Sequence, residues 1–145
     1  MRKLSVTTQR ADRSQPNNGT GLAQARPCTP AVRRGGLLGI LGHIGSDEEA
    51  ASVAKALLGD LAPGSYLVIA DGVNTDRAGN EAQDRYNQQS PVPYHLRSPA
   101  QLAAFFDGLQ LVEPGVVPCS QWRPDPEAGI EPPQMAVYCG VAVKP

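Results

Sequence analysis

The stretch LLGILGHI, which opens at Leu37, is an apolar run without alternation, the pattern of a strand covered on both faces, and it predicts a strand over Leu37 to Gly42. A helix signal follows at once. Ser46 and Glu49 have the spacing of a capping box, and Asp47 and Glu48 suit the positive end of a helix dipole. Ala50, Val53, Ala54, Leu57, Leu58 and Leu61 then recur at helical spacing and predict one buried stripe, ended by Pro63 and Gly64. The next run, SYLVIAD from Ser65 to Asp71, is again apolar and β-prone. Strand, helix, short loop, strand is the βαβ unit of a parallel sheet, so the class is α/β.

Further along, Arg77 to Gln88 carries a weaker helical pattern with Ala78, Ala82 and Tyr86 on one face, predicting an exposed helix or lid. PVPYHLRS is held extended by its prolines, and Ser98 with Gln101 offers a second capping box. Leu102, Phe105, Phe106 and Leu109 supply the apolar face of a short helix, where packing into a core outweighs stacking on a ligand. Leu109 to Glu113 predicts a strand, a Pro-rich connection spans Pro118 to Pro133, and Met135 to Val143 predicts a central strand. The last two strands have no helix between them, so they are expected to be antiparallel and the sheet mixed.

Residues 1 to 36 differ in kind. They are polar, broken by QPNNGTG and ARPCTP, and without period, so a disordered leader (1–36) is expected ahead of a folded part (37–145). The charge divides at the same place. The formal net charge of -1 conceals about +6 in the leader and about -7 in the remainder. Such a total argues against a nucleic-acid partner for the folded part, and a solvated tail is favoured over a nucleic-acid arm, a membrane arm or a transit peptide. No apolar run has the ~20 residues of a membrane span, and no apolar stretch follows Arg2 and Lys3 as in a secretory signal. A cytoplasmic location without membrane attachment is expected. The length of 145 residues allows one core, while 15 Gly and 14 Pro foretell much loop. Cys28, Cys119 and Cys139 are far apart and suggest neither a disulfide framework nor a metal site.

The phrases GLLGILGHIGSDEEAASVAKALLGDLAPGSYLVIADG and PYHLRSPAQLAAFFDGLQLVEPGVVPCSQWRPD resemble the actinobacterial family of S-adenosyl methyltransferases, over about Gly36 to Pro145. Ten Arg against three Lys fit a GC-rich source. The resemblance implies the C-terminal half of a class I (Rossmann-like) methyltransferase sheet, with strands four to seven at Leu37–Gly42, Ser65–Asp71, Leu109–Glu113 and Met135–Val143. It also implies S-adenosylmethionine as cofactor and an unidentified methyl acceptor. In that fold a Gly-rich turn after the first strand meets the methionine part and an acid ending the second strand holds the ribose. Neither is found here, because NNGTGLAQ around Gly19 and Gly21 follows no apolar strand. The expectation is therefore a truncated member, inactive alone, whose fourth strand has a bare edge. The alternative is a non-catalytic interaction protein that pairs through that edge with another copy or with a complementing chain.

Candidate site residues follow from position. His43, after the first apolar run, is either a general base or a structural histidine at a strand end. Gly42, His43 and Asp71 are the candidates for cofactor contact, Asp71 alternatively capping the loop after its strand. Tyr94, His95 and Arg97 either touch the acceptor or, for Arg97, anchor the loop on an acidic neighbour. His43, Tyr94 and Arg97 are the catalytic candidates; Trp122 and Arg123 either stack on a substrate or cover the sheet edge.

Overall fold

The computed structural model describes residues 31–126, 133 and 135–145, so the expected leader lies outside the described residues as far as position 30. Strand β1 (Arg34–Leu38) runs parallel to β2 (Tyr66–Gly72), in register from Arg34 opposite Tyr66 to Leu38 opposite Ala70. The strand latest in the chain, β5 (Val137–Val143), lies antiparallel against the other side of β2. Its far side takes β3 (Gln110–Leu111) and β4 (Val117–Pro118), both antiparallel. The sheet order β1-β2-β5-β3 is thus mixed, with the last apolar run at its centre, as the pattern predicts.

Several boundaries differ from the sequence reading. Pairing in β1 begins at Arg34, inside the segment assigned to the leader, and stops at Leu38 rather than Gly42. Gly39 turns the chain with a positive φ of 63°, and Leu41–His43 coil into a 3-10 turn. Helix α1 (Asp47–Gly59) starts on Ser46, whose hydroxyl accepts the Glu49 N–H. Its last carbonyls, Leu58 and Leu61 beyond it, accept from Lys144 Nζ at 2.8 and 2.7 Å. Helix α2 (Arg77–Gln89) is capped by Asp76 and buries no residue. Helix α3 (Pro99–Ala104) opens on the complete Ser98–Gln101 capping box and is shorter than predicted, since Phe105 closes it and Gly108 reverses the chain at φ 80°. The expected strand over Leu109–Glu113 pairs for two residues only, and β4 within the Pro-rich connection carries no period that would reveal it.

Helices α1 and α3 cover one face of the sheet. There Leu37, Leu67, Ile69 and Ala142 meet Ala50, Ala54, Leu102, Phe105 and Phe106 in one core. Phe106 lies so close over Gly140 that a Cβ at that position would stand 2.9 Å from its ring. Both Phe residues are buried, which gives them the packing role. Val53 departs from the predicted stripe and is 36% exposed. Ala51 and Leu58 flank the α3 side of α1, whereas Val53 lies on the opposite flank with Leu57, over the edge strand. Strand alternation sends Leu38, Tyr66, Val68, Ala70, Val141 and Val143 to the other face of the sheet, where none is fully buried. An apolar face beside a parallel strand pair is the pattern of a sheet made to be covered on both sides.

Candidate functional site

The carboxyl ends of β1 and β2 lie side by side, and the chain leaves them through the 41–43 turn and through Gly72–Val73. Asp71, the last acid of β2, is 3% exposed. Its Oδ2 accepts the Gly42 N–H at 3.2 Å, and its Oδ1 accepts the Gly72 N–H at 3.0 Å and the Tyr94 hydroxyl. Burial pushes the Asp71 carboxyl above its usual range, opposed by the N–H groups of Gly72, Gly42 and Leu41 and by the Arg97 charge. In effect a residue of β2 caps the 3-10 turn that follows β1.

Tyr94 completes the cradle. Its hydroxyl donates to Asp71 and accepts the Gly72 N–H at 3.1 Å, while its ring lies against Gly42 and Gly72. A Cβ on Gly72 would meet Leu96 at 2.9 Å and the Tyr94 ring at 3.2 Å, and one on Gly42 would overlap that ring outright. The two glycines make a slot for the phenol. His43 is exposed and sets its ring edgewise on Tyr94, centroids 5.0 Å apart at 88°. From α2, Asn87 holds the Tyr94 main chain twice, its Nδ2 donating to the carbonyl and its Oδ1 accepting the N–H, each at 2.9 Å. Gln83 donates to the same Asn87 oxygen at 3.0 Å.

Arg97 is 4% exposed and spends its guanidinium on anchoring. Nη1 donates to the Leu41 carbonyl at 2.6 Å, Nη2 to that of Ile44 at 2.7 Å, and Nε to Asp47 at 2.7 Å. It also lies 5.5 Å over the Phe105 ring. The hydrogen bond from Arg97 holds the Asp47 carboxyl below its usual range. Thus Arg97 joins the 41–43 turn to the start of α1, and the acidic neighbour is Asp47. His95 enters the site through its backbone, donating its N–H to the Gly42 carbonyl.

Of these residues Asp71, Gly72, Gln83 and Tyr94 line a cleft of about 580 Å³ between the ends of β1 and β2 and helix α2. Gly42 and His43 pack against the Tyr94 ring and Arg97 lies buried on Leu41, Ile44 and Asp47, all three outside the cleft's lining. Trp122 and Arg123 do not join them. They follow β4 at the opposite edge of the sheet, where the Arg123 guanidinium stacks 4.9 Å from the Trp122 ring and donates to the Glu113 carbonyl. Cys119 and Cys139 are brought together by the β4–β5 pairing, and burial together with the adjoining Cys119 thiol pushes the Cys139 thiol up to about 12. Cys28 lies outside the described residues. Asn87 is the site residue that the sequence conceals, since it looks like one more polar residue at a helix surface; Asp47, read there as a helix-dipole acid, proves also to be the partner of Arg97.

The described residues do not form a cradle for S-adenosylmethionine. The acid at the strand end has both oxygens engaged, and the Leu41 and Gly42 N–H groups already serve that acid rather than an incoming carboxylate. Among the described residues no helix is long and apolar enough to cross a membrane.

The fold is similar to those of two solved structures. A DUF574 family protein from Streptomyces avermitilis MA-4680 superposes with a TM-score of 0.63 at 32% identity, over 76% of this chain and 43% of that one. A candidate methyltransferase from Thermobifida fusca YX gives 0.58 at 26% identity, over 75% of this chain and 42% of its own. The chain thus spans less than half the length of these structures. Residues 32–145 match the family described as S-adenosyl methyltransferase, and the chain belongs to that family. Among curated proteins there is no match.

Proposed function

We propose that this chain supplies the acceptor-side wall of a methyltransferase crevice, and that methyl transfer requires the remaining part of the related fold as well. The observation that carries this reading is the closure of Asp71. A carboxylate 3% exposed, holding the N–H groups of Gly72, Gly42 and Leu41 and a phenol, has nothing left for a ribose. Beside the wall, exposed His43, set edgewise on Tyr94, is the group available as a base, and Tyr94 and Asp71 line the cleft itself. The family implies S-adenosylmethionine as methyl donor. Calorimetric titration of the isolated chain with S-adenosylmethionine is expected to give no binding heat. A clear one-to-one isotherm would overturn the reading.

A second reading draws on a separate observation, the edge of β1 that is unpaired among the described residues and the apolar face bearing Tyr66, Val68, Val141 and Val143. Unpaired strand edges recruit other strands. On this reading the chain is an interaction protein that pairs with a second copy or with a complementing chain. Sizing chromatography across a wide concentration range tests the self-pairing form, and a monomer throughout counts against it.

A further inference from the structure

The cleft at the ends of β1 and β2 has a composition from which its ligand can be read. Its walls are apolar side chains, with Leu38, Ala70, Val73, Leu96 and Val137 prominent, and Gly39, with no atom within 4 Å of where a Cβ would stand, leaves one part open. Among the described residues no lysine, arginine or histidine lines it; the ionisable groups that do are Asp71 and Tyr94. Arg97 is buried and turned onto Leu41, Ile44 and Asp47, so its guanidinium does not reach the cleft wall. In such a place an anion would lose its water and meet no cation, whereas a cation would meet an attractive field.

We propose that this cleft binds a flat apolar group that is uncharged or carries a cation, and that it rejects the anionic counterpart. The volume of about 580 Å³ is within the range of small-molecule sites and ample for a bicyclic ring. Gly39 leaves open space for a planar face, and the Asp71 carboxyl, the Tyr94 hydroxyl and the Gln83 amide are the side-chain polar groups on the cleft walls. Naming this ligand as the methyl acceptor rests on the preceding proposal; the charge preference is argued from the walls alone.

The test uses three ligands that share one ring: tryptamine, indole and indole-3-acetate. Each is titrated into the full chain without S-adenosylmethionine and followed by protein chemical-shift changes, so a failure of methyl transfer leaves the readout untouched. Tryptamine and indole are expected to bind, with indole-3-acetate weaker than tryptamine by at least about tenfold. Val137→Lys and Leu38→Lys place an ammonium on the cleft wall at positions 38% and 62% exposed, where folding tolerates it. In both variants the order of tryptamine and indole-3-acetate is expected to narrow or invert. Binding of indole-3-acetate as tight as tryptamine, no binding by any of the three, or a preference unchanged in both variants would each overturn the proposal.

Discussion

Replacing Gly42 by alanine tests the central packing of the crevice. The position has no positive φ, so its backbone accepts alanine, and the whole penalty falls on the contact with Tyr94, whose ring occupies the space of the new methyl group. Because Gly42 sits in the turn that Asp71 caps, the ring is the part that must leave. Overpacking costs about 1–3 kcal/mol, and a displaced phenol also abandons a hydrogen bond to a buried carboxylate, about 1.5–3 kcal/mol. Alanine restores about 0.4–1 kcal/mol by restricting the unfolded chain. Gly42→Ala should therefore destabilise by about 2–5 kcal/mol in the native background, and by no more than about 0.5 kcal/mol once Tyr94→Ala has emptied the slot. Urea unfolding of the two single variants, the double variant and the parent, followed by circular dichroism and Trp122 fluorescence, completes the cycle. Equal costs of Gly42→Ala in the two backgrounds would refute the idea that this glycine is there for the tyrosine.

Three further outcomes follow from the same geometry. Arg97→Ala strips partners from the Leu41 and Ile44 carbonyls and removes the cation from Phe105, so a loss of about 3–5 kcal/mol is expected; Asp47→Asn, at a side chain 53% exposed, should cost under about 1 kcal/mol. Comparable costs for the two in denaturant titrations would contradict the anchoring role. Asp71 has a folded pKa above its ordinary 3.8, so as pH rises from there the folded chain keeps a proton that the unfolded chain has released, and stability falls. The lowered Asp47 acts in the opposite sense, with stabilisation present above its ordinary value and lost as pH falls. The stability of Asp71→Asn relative to the parent should accordingly climb with pH from about 4 upward, and a flat or falling difference would be inconsistent with this sign. Finally, the Cys139 thiol, pushed up to about 12, should alkylate with iodoacetamide at pH 8 at least about tenfold more slowly than an unperturbed cysteine in a short peptide. Peptide mapping by mass spectrometry measures this, and equal rates would show that Cys139 is not shielded.

Helix α1 and its cap, the capping box of α3, the apolar strand β2 and the central place of β5 are all legible in the sequence, because each depends on periodicity and capping within a few residues. The mixed sheet follows from them, since a βαβ unit must be parallel and the helix-free connection suits an antiparallel pair. The family resemblance carried by the two long phrases agrees with the match over residues 32–145.

What tertiary structure alone decided is which groups are used up and which remain free. Arg97 reaches carbonyls 56 and 53 positions away, Asp71 caps a turn 29 positions upstream, and Tyr94 closes over both strand ends. Nothing local marks these partners. A histidine, an aspartate, a tyrosine and an arginine near strand ends look alike as candidate catalysts, yet folding buries Asp71 and Arg97 as fixtures and leaves His43 exposed against the Tyr94 ring. Asn87 shows the converse, a polar residue of a surface helix that holds Tyr94 in place by two backbone hydrogen bonds. The hydrophobic pattern determines where the chain turns and what it buries, because those choices follow the period of the backbone. The chemistry of the crevice depends on distances between residues remote in sequence, and only the folded arrangement sets them.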